Sequence, residues 1–329
     1  MKITSTSEVD IQEWDDLVLS VGGGYFHCYA HVVYSAECEE AEPMFIQALD
    51  NQDRCVGVAT GMISRSHTWP FSKFCNWAML QSTPIAADGS AETERSILEA
   101  MEIHLRRQGV FSIHIFSYDC PHSESVLSSL GYNLFTRSEF YLDLSPSQEE
   151  IWAGFKRQRK QNIKKAEKSG VVTRHENTPD ALDIISSLQI QSMERHDISI
   201  VEAQKRTDHA RKKLLESGRI DVLVSYQDDI PINGGYLGTF NDKPYHLVSG
   251  SSDVGFKCCG PAHLTWTAIQ MYKERGAKSL NLGATLEGQD TLYRFKKDFG
   301  ATPISQPIGK KGISKLGSSL HRMRSLLRR

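Results

Sequence analysis

Two stretches of the chain share one plan: LRRQGVFSIHI at 105–115 and MYKERGAKSLNL at 271–282. Each ends a helical apolar pattern, passes through a glycine, and enters a run with strand-like alternation. Gly109 aligns with Gly276, Ser112 with Ser279, and the apolar Ile113 with Leu280. Glycine suits this junction because it leaves a helix through a left-handed conformation without a Cβ clash. Two helix–Gly–strand units in 329 residues predict a duplicated α/β module. The alternative is two unrelated junctions of an ordinary kind.

The first half reads as a helix at 11–19, a break at Gly22-Gly23-Gly24, and strands at 44–49 and 55–63 about the turn Asp50-Asn51-Gln52-Asp53. A helix at 91–108, a strand at 110–116, a short helix at 123–130 and a strand at 132–144 follow. In the second half, 221–226 and 232–240 form a hairpin, 245–249 a strand, 264–275 a helix and 278–282 a strand. Two further helices are predicted at 181–195 and 201–216. Between the halves, Ser145-Pro146 with Gln148 predicts the start of one helix running through EEIWAGFKRQRKQNIKKAEKSG to Gly170. The boundary falls near residue 146, giving domains at 1–145 and 146–309 and a basic tail at 310–329.

Composition narrows the class. Hydrophobic residues make up 40% and charged residues 24%, which fits a folded chain and excludes a disordered or collagen-like one. The seven cysteines are scattered and contain no CxxC pair, so neither a disulfide framework nor a zinc site is expected. With a polar N-terminus, this predicts a cytoplasmic protein. The net charge of -2 conceals a division: residues 1–150 carry 8 Lys/Arg and 22 Asp/Glu, while 151–329 carry 30 and 18. The basic half can receive an anionic substrate, and the two halves can equally attract each other. The tail holds seven Lys/Arg and no Asp/Glu. Its end is either a frayed solvated segment or an amphipathic helix making peripheral contact with the inner face of a membrane.

Candidate chemistry gathers in the second half. In SGSSDVGFKCCGPAHLTWTAIQMYKERG (249–276), a strand gives way to a loop with Gly255 and Gly260, and Pro261 marks a helix start. The free N–H groups of such a helix, at Ala262 and His263, suit phosphate oxygens, although glycines serve tight turns as well. No Walker, GxGxxG, HExxH or GxSxG pattern is present, and no metal is expected. Lys296 and Lys297 can meet a phosphate or carboxylate, or simply solvate a helix. Tyr293, Phe295 and Phe299 read first as core. Asp253, beside the loop, and His196, in a polar break between helices, are the candidate acid/base groups; His246 falls in a strand.

NIKKAEKSG (162–170), GPAHLTWTAIQMYKERGAKSLNLG (260–283) and LYRFKKDFGATP (292–303), with EWDDLV (13–18) and YFHCYAHVV (25–33), resemble the Fem-type branch of the GNAT-like acyltransferases, most closely its BioF2-like group. The resemblance implies tandem GNAT-like α/β domains with mixed sheets sharing a central cleft. It implies acyl transfer to an amino group of a cell-envelope or polysaccharide precursor, with acyl-CoA or acetyl-CoA as donor. Some relatives use aminoacyl-tRNA instead; the 181–216 segment is too short for their long helical arm. Relatives carry Asp where this chain has Asn281, and Asn cannot accept a proton as a carboxylate can. Asn281 is thus either a substrate-orienting residue or the sign of a binding module that has lost catalysis. The strand–glycine-loop–helix order taken together with the resemblance makes Gly255, Gly260, Ala262 and His263 the candidate donor site, Lys296 and Lys297 the candidate anion contacts, and Asp253, His196 and Asn281 the candidates for orienting the acceptor or moving its proton.

Overall fold

The computed structural model describes residues 1–66, 76–120, 123–194, 201–316 and 319. The chain runs β1 (Lys2–Thr6), α1 (Ile11–Ser20), α2 (Tyr29–Cys38), β2 (Glu42–Leu49), β3 (Cys55–Ser64), β4 (Asn76–Leu80), β5 (Ile85–Ala86), α3 (Ala91–Arg107), β6 (Val110–Ile115), α4 (Ser123–Ser129) and β7 (Asn133–Asp143). It continues with α5 (Gln148–Gly154), α6 (Arg157–Lys168), β8 (Val172–His175), α7 (Pro179–Glu194), α8 (Val201–Glu216), β9 (Ile220–Gln227), β10 (Ile230–Gly238), β11 (Tyr245–Ser251), α9 (Asp253–Lys257), α10 (Gly260–Glu274), β12 (Ser279–Leu286), α11 (Asp290–Lys297) and β13 (Thr302–Gly312).

Two compact units emerge: Met1–Arg137 with Ser305–Arg329, and Ser138–Ile304. The division falls inside β7 and inside β13, not at 145 and 309. The segment 309–312 is strand because it pairs antiparallel with Ile115–Ser112 of β6, and Ile313 is buried in the same core. The far end of the tail, with its amphipathic pattern, lies outside the described residues.

In the first unit the strands run β1-β2-β3-β4-β6 followed by the end of β13. Helix α3 starts at Ser90, whose hydroxyl accepts the Thr93 N–H at 3.1 Å. It buries Ile97, Leu98, Met101 and Leu105, a stripe of helical period, against β-sheet residues such as Ile46, Leu80 and Ile113. In the second unit the order is β7-β12-β11-β10-β9-β8. Its core joins Phe140, Phe155, Leu223, Trp266, Ile269 and Phe299.

The predicted repeat is present in both. Each unit has a strand, a helix and a second strand parallel to the first: β4–α3–β6 and β11–α10–β12. Gly109 at φ 81° and Gly276 at φ 84° make the two junctions. The single helix predicted between the halves is two. Its cap is Ser147 rather than Ser145, in a reciprocal pair with Glu150 at 3.2 and 2.8 Å. Phe155 leaves helical geometry after Gly154 and turns into the core, edge-on to Trp266 and Phe299 at 5.4 and 5.1 Å. Burying that ring outweighs the one turn of helix it interrupts. No helix among the described residues is long and apolar enough to cross a membrane.

Candidate active site

The glycine loop is built for packing more than for a ligand. A Cβ on Gly255 would strike the Ile232 carbonyl oxygen and lie 2.5 Å from Ser251 Oγ; one on Gly260 would lie 3.0 Å from Asn233 Cβ. The Gly255 N–H already donates to the cap hydroxyl of Ser252 at 3.1 Å. At the start of α10, Pro261 has no N–H, and the amides of Ala262 and His263 donate to the Cys259 carbonyl at 3.0 and 3.3 Å. The expectation that this turn offers a row of free amides is therefore corrected: hydrogen bonds within the helical turn consume them. His263 points elsewhere, with Nδ1 2.7 Å from Thr173 Oγ1, and burial holds its pKa below the usual value. What the turn does cover is Asn233, buried, with neither its Oδ1 nor its Nδ2 in a hydrogen bond.

Gly255→Ala separates packing from donor binding. Forcing a methyl group against the β10 backbone should cost about 1–3 kcal/mol of stability, read as a lower denaturation midpoint. Donor KM should stay within about twofold in the fraction that folds; a large KM rise at unchanged stability would restore the phosphate-loop role.

The geometry that invites chemistry lies one strand over. β11 and β12 register at one residue pair, Tyr245 opposite Asn281, flanked by the Asn281 N–H bond to the Pro244 carbonyl at 3.0 Å. Beyond it, Gly283 adopts φ 80° and lies so close to β11 that a Cβ would be 2.7 Å from the His246 carbonyl. The next carbonyl, Ala284, accepts from Lys296 Nζ at 2.9 Å. On β11 the pairing with β10 shifts between Tyr236 and Leu237, where Leu247 is the extra residue of a bulge. Two parallel strands thus part in mid-sheet, around a lysine. The equivalent pair in the first unit stays closed: β4 and β6 match from Asn76↔Val110 to Leu80↔Ile115, then Phe116 and Tyr118 amides continue the ladder to Leu80 and Gln81 at 2.9 and 2.8 Å.

Lys296 is buried. Desolvation pushes its pKa down to about 8, against the opposing pull of Glu139. Its Nζ lies 5.7 Å from the Phe140 ring centroid. His246 is lowered to about 4, first by burial and then by the Lys296 charge, so it is neutral at pH 7 and a weak base. Asn281 is buried and fully engaged: Nδ2 donates to Glu139 Oε2 at 3.0 Å, and Oδ1 accepts the Gly283 N–H at 2.8 Å. It shapes the point where β12 departs. Lys297 and Asp253 are exposed, Asp253 at the first position of α9. His196 lies outside the described residues. Lys296 and Asn281 are thus brought into one buried network, while Asp253 and His263 carry other contacts.

Sequence reasoning missed Glu139, Tyr141 and Tyr245. Glu139 is fully buried, and the Tyr141 and Tyr245 hydroxyls donate to it at 2.9 and 3.2 Å. The signal that could have found it is an acidic residue in the middle of FTRSEFYLDL, two positions from a tyrosine and therefore on the same strand face. Among the described residues no group of three or more His, Cys, Asp or Glu is arranged to hold a metal ion.

Lys156 at the N-cap of α6 and Arg157, Lys164, Lys165 and Lys168 on the helix are exposed, none in an ion pair among the described residues. Arg159, by contrast, is buried over the Phe295 ring and paired with Asp298 at 3.5 Å.

The chain is similar in fold to the crystal structure of FemX, with a TM-score of 0.70, 13% identity, and 93% of this chain and 97% of that one covered. It is also similar to the C-terminal domain of a putative lysylphosphatidylglycerol synthetase from Agrobacterium fabrum (TM-score 0.59, 14% identity, 96% and 95% covered). A tandem GNAT protein from the clavulanic acid biosynthesis pathway gives 0.54, 13%, and 95% and 99%. The shared architecture is the tandem GNAT-like mixed α/β fold. No curated protein sequence matches the chain. The FemAB family pattern matches residues 128–204 and 199–311, more than half of the chain and all of the parted-strand site. The chain belongs to the FemAB family, and with that family and fold it is a transferase of the acyl or aminoacyl type.

Proposed function

We propose that this protein transfers an acyl or aminoacyl group from an activated ester to the amine of a cell-envelope precursor. The observation that carries the reading is the parting of β11 and β12 around Lys296. β11 and β12 register at one residue pair, and an extended donor lying between them can use backbone hydrogen-bonding groups there. The donor's acyl carbonyl then lies beside the Lys296 ammonium. As the neutral amine attacks, negative charge gathers on that oxygen, and the ammonium stabilises it in a site shielded from water. The C–N bond forms, the bond to the leaving group breaks, and the amine's proton ends on the leaving group. No covalent enzyme intermediate is needed; holding both reactants in place supplies much of the rate.

Two donor classes fit this chemistry. A coenzyme A thioester would use Asn233, whose buried amide has hydrogen bonds to offer. Aminoacyl-tRNA is favoured by the unpaired cations of α6, which would meet RNA phosphates. The purified chain, given acyl-CoA or charged tRNA with an anionic, amine-bearing envelope precursor, should yield an acylated product by mass spectrometry. A tRNA donor would show binding that falls steeply with salt; a thioester donor would not. Absence of product with both donors would overturn the reading.

A further inference from the structure

Glu139 has a burial problem that the fold solves in an informative way. Its carboxylate is removed from solvent in β7. Three donors that reach it, Tyr141 OH, Tyr245 OH and Asn281 Nδ2, are neutral. A buried carboxylate needs opposite charge as well as hydrogen bonds. Lys296 feels this carboxylate, yet its Nζ hydrogen bond goes to the Ala284 carbonyl. The pair is therefore held apart, with the Asn281 amide against the carboxylate.

The Asn281 side chain can do this only as an amide. One end must donate to Glu139 and the other must accept from the Gly283 N–H. An aspartate there would set two carboxylates about 3 Å apart, which cannot both be ionised. The negative charge of this site thus sits on β7, and Asn281 links it to the left-handed Gly283 turn from which β12 diverges.

We propose that Glu139 is a positioning residue of the transferase site, holding the Asn281–Gly283 turn open and keeping Lys296 in its ammonium form beside the acyl carbonyl. The inference rests on the transfer reading for its catalytic consequence, but its electrostatic content stands alone. Lys296 is coupled to Glu139 on β7 and to His246 on β11; Tyr141 and Tyr245 bond to that same Glu139, and Arg294, Lys297 and Asp298 neighbour Lys296 along its own segment. Of these, Glu139 favours the ammonium, and the Lys296 charge in turn disfavours protonation of His246.

The test is a charge relocation using Glu139→Gln, Asn281→Asp and the double substitution, which keeps one carboxylate and one amide in contact but exchanges them. The first readout is the pH midpoint at which Lys296 is labelled by an amine-reactive reagent, followed by peptide mass spectrometry in the folded protein. The midpoint should fall by about one unit in Glu139→Gln and return in the double variant. The second readout is kcat. It should fall at least about tenfold in each single variant and recover to within a few-fold in the double, with KM for both substrates changed less. An unmoved midpoint in Glu139→Gln, or a double variant as impaired as the two singles combined, would overturn the proposal. Should Glu139→Gln fail to fold, the double variant against wild type still decides, because loss of the midpoint or of kcat there contradicts the exchange. A wild-type protein that transfers nothing sinks the transfer reading alone, since the labelling midpoints are read without turnover.

Discussion

Replacing Lys296 with methionine is expected to lower kcat for transfer by roughly 10²–10³, the usual cost of losing one preorganised donor to a developing oxyanion. Methionine keeps the unbranched stem and removes the charge, so packing against Phe140 is largely retained. The pH profile gives the sharper version. With its pKa pushed down to about 8 by burial, wild-type activity should decline as pH rises through about 8 and the ammonium is lost. Stability should move the other way over the same interval. Between about pH 8 and the ordinary lysine value near 10.4, the unfolded chain binds a proton that the folded one has released. The Lys296 contribution to unfolding free energy therefore increases with pH. The methionine variant should lose both pH-dependent limbs. A profile that rises through pH 8 in the wild type and not in the variant would instead make Lys296 a base.

Phe299→Ala is expected to destabilise the fold by about 3–5 kcal/mol. The ring is fully buried and lies edge-on to Phe155 at 5.1 Å and Phe295 at 5.3 Å. Its neighbour, Asp298, accepts the Lys156 amide at 2.9 Å and ties the end of α11 to the start of α6. Truncation leaves a cavity bounded by aromatic rings that cannot collapse into it. Chemical denaturation should show the loss, and Phe299→Leu should recover most of it. A loss under about 1 kcal/mol accompanied by failed turnover would move Phe299 from the core into the substrate site.

These two residues lie three positions apart in RFKKDFG, and their difference marks what can be read from a string of letters. The aromatic spacing of that segment predicts core, and Phe299 is core. The adjacent lysines predict a pair acting on substrate, yet Lys296 is buried and Lys297 exposed. Helical geometry puts adjacent residues about 100° apart, so they cannot share a face. The glycine loop shows a different limit. Its strand–loop–helix order is legible, but whether its amides are free depends on Cys259 and on the packing of Gly255 against β10. Tyr141 is a local partner of Glu139, but Tyr245 and Asn281, which complete its hydrogen bonding, lie 106 and 142 positions away.

Sequence alone determined the duplicated helix–Gly–strand junction and the helices and strands around it that carry a clear apolar period. Apolar period and helix-ending glycines are local properties, and Gly109 and Gly276 hold the same left-handed conformation in both copies. That the two copies differ in kind is a property of contacts between distant segments. The β4–β6 ladder matches over several residue pairs, while β11 and β12 register at one, beside the left-handed turn at Gly283 and the bond from Lys296 to the Ala284 carbonyl. Which backbone groups remain unpaired, and what charge stands beside them, is set by contacts between distant segments, which no local pattern encodes.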